Sequence, residues 1–405
     1  MKTILATTYA VNPNKGSEDG MGWNFVLQIA RFNKVIAITR ENNRPAIEKY
    51  MEDHPNKLYE NIRFLYYDLP YWMRFWKKGS RGALLYYLMW QYGIVSFIKQ
   101  QNISFDIVHN VNFHNDWSPS FLWKLGKPFV WGPVGHHPLI PSQYLKPYSK
   151  KYWFKDRFTW WIKLFFWNFS NHLNQTKKRA SHILCMNSSV SSRLDIKDNY
   201  SVNPSIATQD FGWIETPNHN QFTVISAGRF VPLKGFDLTI EAFAKMIQSV
   251  SEKDRNKCQL VLVGSGPEEE LLKKMCRENN IEPYVQLISW IERDVLMQMF
   301  KTSSVFLFPS HEGAGMVVAE ALSFGLPVIC LDNEGPGEFI DETCGIKVKK
   351  GNYNNTTDEL AHALKKLFTH SSTQDAMRLG ARKRFENIFH WDRRGEQLRN
   401  IYADL

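Results

Sequence analysis

Four charged residues stand out by their spacing. Glu312 and Glu320 lie in the run Val305–Leu331 (VFLFPSHEGAGMVVAEALSFGLPVICL), which reads as strand, loop, helix and strand. The loop His311–Gly315 brings two glycines, Gly313 and Gly315, just ahead of a helix that should begin near Met316. Amides at such a start, those of Met316 and Val317 among them, lack intrahelical partners, and the helix dipole favours an anion there. One carboxylate can then work near the phosphate end of a ligand while the other, a turn further in, reaches a second set of hydroxyls. Phosphate held by backbone and hydroxyls held by carboxylates is the chemistry of a sugar nucleotide. Upstream, Ser226–Gly235 (SAGRFVPLKG) sets Arg229 and Lys234 in one glycine-bounded loop after an apolar run. A departing diphosphate needs its developing charge stabilised, and a fixed pair of cations does this without a metal. Taken singly, each Glu reads equally as a solvated carboxylate and each cation as a surface charge. Their concentration in two strand-following loops favours a site.

The elements that must position these residues recur in two halves. Apolar runs read as strands at Thr3–Thr8, Val35–Thr39, Ile62–Tyr66, Ile107–Val111, Phe129–Gly132 and Ile183–Met186, with helical patterns such as Gly22–Phe32 between them. The second half gives strands at Phe222–Ala227, Gln259–Val263, Val285–Ile288, Val305–Phe308, Pro327–Leu331 and Gly345–Val348. Its helices are expected at Asp237–Ser249, Glu268–Asn279, Arg293–Thr302, Met316–Phe324 and Thr357–Phe368. Strand–helix alternation at this spacing predicts parallel sheets covered on both faces. The fold class is therefore α/β, with two Rossmann-like domains facing across a cleft at the carboxyl ends of their strands. Pro204, Gly212 and Pro217 interrupt any long element and place the boundary, giving residues 1–203 to an acceptor-side domain and 204–388 to a donor-binding domain.

Composition narrows the setting. The 405 residues exceed one ordinary core, and 43% hydrophobic with 22% charged residues describe a globular protein. The five cysteines form no CxxC pair or metal-like grouping, as expected in a reducing compartment. The N-terminus reads as a buried strand rather than a signal peptide. The apolar run Ala83–Ile98 is too short to span a bilayer and predicts a buried or interfacial helix. A cytoplasmic location follows. The net charge of +10 is uneven: residues 1–203 carry 27 Lys and Arg against 13 Asp and Glu, the remainder 23 against 27. The basic half is expected to face something anionic.

The two-glutamate motif, with glycine after the first Glu and alanine after the second, resembles the signature of the family-4 retaining glycosyltransferases, which have the GT-B fold. The resemblance is strongest over Phe222–Gly325. It implies that Glu312 contacts the donor sugar, Glu320 the nucleotide ribose, and Arg229 with Lys234 the diphosphate. Ala314 and Gly315 depart from the aromatic residue that the family usually carries after the first glycine. Val261–Glu268 (VLVGSGPE) is similar to a family loop lining the nucleotide site, which makes Gly264 a donor-side residue; by itself the sequence is a plain turn. Phe389–Tyr402 resembles the last family helix, so residues 389–405 are expected to cross back to the N-terminal domain.

Other candidates lie in the first half. The loop Pro13–Trp23 follows the first strand, and the resemblance places Gly16 close to the donor phosphates, against the alternative of an ordinary turn. The family carries a histidine facing the reacting sugar after the fourth strand. His109 and His114, in Asp106–Trp117 (DIVHNVNFHNDW), both qualify, and both have a structural reading. Adjacent His136 and His137 in the loop FVWGPVGHHP stand near no Asp-x-Asp motif, and no metal or cofactor is expected. Tyr144–Phe169 holds 12 aromatic residues in 26, interleaved with lysine and arginine. It reads either as a helix in an anionic membrane interface, extended by Trp72, Phe75, Trp76, Lys77 and Lys78, or as an aromatic core under an insertion.

These readings converge on transfer of a sugar, with retention, from a UDP- or GDP-sugar to a glycan or lipid-linked acceptor in cell-surface polysaccharide synthesis. Peripheral contact at the inner face of the plasma membrane is expected, and nucleic acid is not an expected partner. Two rivals stand beside this reading: an epimerase or hydrolase of sugar nucleotides on the same fold, and a degenerate transferase kept as a binding protein.

Overall fold

The computed structural model describes residues 1–79, 82–111, 115–204, 206–213 and 221–405. Among them, seven strands form one parallel sheet in the order β3-β2-β1-β4-β5-β6-β7. They are β1 Thr3–Thr7, β2 Lys34–Thr39, β3 Ile62–Tyr66, β4 Ile107–Asn110, β5 Phe129–Val134, β6 His182–Cys185 and β7 Tyr200–Val202. Six further strands form a second parallel sheet in the order β10-β9-β8-β11-β12-β13. These are β8 Phe222–Ala227, β9 Cys258–Val263, β10 Val285–Ile288, β11 Val305–Phe308, β12 Val328–Asp332 and β13 Gly345–Lys349. Each sheet thus reverses direction once, between β1 and β4 in the first and between β8 and β11 in the second. That reversal opens a crevice at the carboxyl ends of the two strands flanking it.

The strands form where the sequence offers continuous apolar residues, because helices cover both sheet faces. Leu5, Val108, Phe129, Trp131 and Ile183 lie in one core; Val224, Leu260, Leu262, Leu307 and Ile329 lie in another. Two departures from expectation have local causes. The first helix runs Ser17–Ala30 and so begins five residues earlier than Gly22. Gly20 lies inside this helix and has to be glycine, since a Cβ there would sit 2.3 Å from the Lys15 carbonyl oxygen. Strand β5 continues through Gly132 and Pro133 to Val134.

By contacts the chain divides into two units. One comprises Met1–His136, Trp161–Ser205 and Trp391–Leu405; the other comprises His137–Trp160 and Ile206–His390. Residues His137–Trp160, placed in the first domain by a boundary near 203, therefore pack with the second sheet. The cause is two buried tyrosines. Tyr144 donates its hydroxyl to the Gly351 carbonyl at 2.9 Å, and Tyr148 donates to Asp237 Oδ1 at 2.5 Å. Burying a phenol stabilises when its hydroxyl finds an acceptor, and both do.

The helix Ala83–Gln100 buries Tyr86, Trp90, Ile94 and Ile98 along one face, as a core-packed helix does. The aromatic helix Lys150–Phe169 buries no residue fully: Tyr152 and Trp167 pack partly buried against core residues, while Phe154, Phe158, Trp161, Phe165 and Phe169 are exposed. Among the described residues, no helix is long and apolar enough to cross a membrane.

Candidate active site

The second sheet positions its charged residues at the switch point. Strand β8 leads to Arg229 and Lys234, and the adjacent strand β11 leads to Glu312. Gly235 lets these loops meet: it holds φ +69, and a Cβ there would fall 2.2 Å from the Pro309 carbonyl oxygen. At that approach the His311 amide donates to the Leu233 carbonyl at 2.9 Å, and Ser310 Oγ donates to the same oxygen at 3.1 Å. Lys234 Nζ then stands 2.8 Å from Glu312 Oε2, with both side chains less than one-fifth exposed. A third loop is tied in by Asn333, whose Nδ2 donates to the Ser310 carbonyl while its Oδ1 accepts from the Gly335 and Gly337 amides. Gly264, at φ +153, brings the β9 loop against the β8 loop, since a Cβ would lie 1.9 Å from the Gly228 carbonyl oxygen.

The helix Met316–Ser323 follows directly, with Gly315 at its start and no acidic residue in its first turn. A Cβ at Gly315 would lie 3.0 Å from the Phe308 ring, 3.5 Å from Val318 and 3.6 Å from Pro336, so a side chain would crowd this tip. Among the described residues, the amides of Gly315, Met316 and Val317 meet no protein acceptor, as helix starts require. Gly313 differs: its amide donates to His137 Nδ1 at 3.1 Å, which fixes that ring nitrogen as an acceptor. Further along the helix, Glu320 is 7% exposed and its Oε1 accepts from the Arg293 guanidinium at 2.6 Å. Arg293 also lies over the Phe211 ring. Arg229 is exposed and has no ion-pair partner among the described residues.

The structure thus brings together Lys234, Glu312, Gly313 and the helix tip at Gly315, with Glu320 on the same helix and Gly264 bracing the neighbouring loop. It adds Asn333 and Arg293, which the motifs do not single out, and His137, which the sequence marked only as one of a histidine pair. Arg293 lies 27 positions before its partner, on another helix, and only the fold connects them. His137 had a signal, the HH pair in a glycine-rich loop, but its partner was hidden.

Candidates in the first unit fare differently. His109 lies inside β4, fully buried, with Nδ1 at 2.6 Å from the Tyr402 hydroxyl and Nε2 at 2.7 Å from the Gly132 carbonyl. Burial lowers its pKa to about 4, so it is neutral, and both nitrogens are occupied. Its catalytic role is therefore withdrawn: it fastens β4 to β5 and to the helix Trp391–Asp404. His114 lies outside the described residues. Gly16 caps the helix Ser17–Ala30 beside open space, but Glu18 and Asp19 occupy the first turn and oppose an anion there. His136 Nδ1 pairs with Asp116 Oδ2 at 2.7 Å in the interior. Among the described residues, no group of three His, Cys, Asp or Glu side chains could hold a metal ion.

Comparison with known proteins bears on the family and the fold. Residues 209–384 match the model of the family described as glycosyl transferases group 1. An uncharacterised glycosyltransferase of Methanocaldococcus jannaschii is 25% identical over 181 residues, 44% of this chain and 44% of that protein. A GDP-mannose-dependent monoacylated alpha-(1-6)-phosphatidylinositol monomannoside mannosyltransferase of Corynebacterium glutamicum is 28% identical over 181 residues, 43% of this chain and 45% of that protein. The matches thus span less than half the length of these curated relatives. Among solved structures, Anabaena HepE in complex with UDP is 14% identical, with 100% of both chains covered and a TM-score of 0.66. That likeness is one of fold and extends over both α/β sheets. Residues 209–384, which carry the paired loops and the helix tip, are thus similar to the group 1 glycosyltransferases, and the two parallel α/β sheets match the GT-B fold of glycosyltransferase structures.

Proposed function

We propose that the protein transfers a hexosyl group, with retention and without a metal, from a nucleoside-diphosphate sugar. One observation carries this reading: Lys234 and Glu312 meet at 2.8 Å at the switch point, beside a helix start whose amides meet no acceptor among the described residues. The lysine and those amides present positive potential to a pyrophosphate, which offers more charge and more acceptor oxygens than one carboxylate. As the pyrophosphate draws Lys234 toward itself, Glu312 turns to the sugar hydroxyls. Arg229, exposed in the same loop, adds a second cation to the leaving group. Glu320, held by Arg293, presents a fixed carboxylate to the ribose. Charge developing on the departing diphosphate is then met by groups already in place, the arrangement that lowers such barriers most.

Donor class finds support among the similar proteins: the Corynebacterium relative is named for GDP-mannose, and the Anabaena structure holds UDP. The acceptor we infer is a glycan or lipid-linked sugar of the cell surface, reached at the inner face of the plasma membrane. The helix Lys150–Phe169 supports that setting, since Phe154, Phe158, Trp161, Phe165 and Phe169 recur at helical spacing and are all at least 53% exposed. Lys150, Lys151 and Lys155 are exposed on the same helix, as an anionic interface favours.

A thermal-shift panel tests the donor reading. UDP, GDP and their sugars are expected to raise the midpoint selectively, because ligands that bind only the native state stabilise by mass action. Conversion of a sugar nucleotide without any acceptor would instead favour the epimerase or hydrolase. Tight binding with no turnover on any acceptor would favour a degenerate binding protein.

A further inference from the structure

The first unit carries two adjoining cavities that donor binding leaves unused. One, of about 480 Å³, is lined by Arg40, Asn42, Asp68, Arg74, Lys77 and Tyr86. Arg40 immediately follows β2 and Asp68 lies just past β3, so the cavity opens at the carboxyl ends of these strands. Its cations are held in place. Arg40 Nε donates to the Tyr9 carbonyl at 2.9 Å, with the guanidinium 4.1 Å from the Tyr9 ring centre. Arg74 reaches Asp68 at 3.4 Å, and Lys77 Nζ lies 5.1 Å from the Tyr86 ring centre. Asp68 already accepts the Tyr86 hydroxyl, so three cations face one committed carboxylate.

The second cavity, of about 410 Å³, is apolar, lined by Leu69, Met73, Leu88, Met89, Tyr92 and Gly93. The short helix Tyr71–Arg74 contributes to both, with Arg74 in one and Met73 in the other. Around it, Tyr71, Trp72 and Phe75 are 61–76% exposed, and Tyr92 is 59% exposed. Large apolar side chains gathered at a surface mark a binding region, and both volumes suit small ligands.

We propose that this pair of cavities binds an amphiphilic acceptor anchor: a single-chain lipid phosphate, with its phosphate on Arg40, Arg74 and Lys77 and its hydrocarbon chain in the Leu69–Met89–Tyr92 groove. The proposal rests on the transferase reading for its biological sense, since it names the acceptor's class. The physical case is separate. A free phosphate fills only the basic cavity, and a polar polymer would leave its hydrogen-bonding groups against Leu and Met side chains. A cation cluster joined to an aliphatic groove satisfies both ends of an amphiphile.

Titration calorimetry on the full chain tests this with three probes: monomeric farnesyl phosphate, farnesol and inorganic phosphate. Farnesyl phosphate is expected to bind at least tenfold more tightly than either fragment. The double charge reversal Arg74→Glu with Lys77→Glu should weaken farnesyl phosphate at least tenfold and leave farnesol unchanged. Tyr92→Asp should weaken both. Equal binding of phosphate and farnesyl phosphate, or no effect of the charge reversal, overturns the proposal. So does binding to phosphatidylglycerol vesicles with none to monomeric farnesyl phosphate, which would indicate a bilayer-facing surface. UDP and GDP binding by the same preparations separates the outcomes. If they fail while farnesyl phosphate binds, the donor reading falls and this one stands.

Discussion

Strands β4 and β11 hold equivalent places in their sheets, each beside the first strand of its half, yet they use chemistry-bearing residues in opposite ways. In β11 the charge comes after the strand: Glu312 stands four residues past Phe308, partly exposed, and meets Lys234 from the neighbouring loop. In β4 the candidate is in the strand itself. His109 points into the layer covered by the helix Trp391–Asp404, and both its nitrogens are spent on internal hydrogen bonds. A strand's end is a favourable place for a ligand, but only residues that leave the sheet can reach one. A titratable side chain one step too early becomes a fastener.

The sharpest way to break this contrast is to remove each side in turn. Lys234→Ala and Glu312→Ala should each reduce transfer by ~10²–10³, the scale of losing one group that stabilises developing charge. Their free energies of unfolding should stay within about 1 kcal/mol of the parent, because a partly exposed pair contributes little stability. Next comes Arg293→Ala. It leaves Glu320 without its guanidinium and should raise the donor KM by about tenfold with a smaller change in kcat, as expected for a group that orients the substrate. His109→Ala should do the reverse of the first pair, costing roughly 2–4 kcal/mol in denaturant titrations while the remaining folded protein keeps its turnover.

The smallest effect lies in pH. Burial holds His109 at about 4, below the ~6.5 of an unfolded histidine. The unfolded chain therefore binds more protons between those values, and the contribution of neutral His109 is whole above pH ~6.5 and lost as pH falls toward 4. His109→Gln should flatten that limb of the stability profile. Asp237, raised to about 6 by burial, titrates in the opposite sense in both proteins and cancels in the difference.

Much of this was legible because parallel strands buried on both faces must be written as apolar runs. Residues 62–66, 222–227, 285–288 and 305–308 were bounded correctly from composition alone. Strand β7, only three residues with a serine at its centre, carries too weak a pattern to see. The loops bearing Arg229, Lys234 and Glu312 were visible because glycine marks close backbone approach, and Gly235 and Gly264 do make such approaches. What the sequence withheld is long-range. That His137–Trp160 packs with the second sheet depends on Tyr144 and Tyr148 finding acceptors some 90 to 200 positions away. The Arg293–Glu320 pair and the commitment of His109 to Tyr402 are likewise products of the finished fold.

The central claim is that the Lys234 loop and the Met316–Ser323 helix start hold a nucleoside diphosphate through its phosphates. Calorimetric affinities of UDP, UMP and uridine, and of the guanosine series, for the parent and Lys234→Ala test it most directly. In the preferred series the parent should bind the diphosphate at least tenfold more tightly than the monophosphate, and Lys234→Ala should erase most of that gap while leaving nucleoside binding intact. A gap of the same size in both proteins would contradict the account.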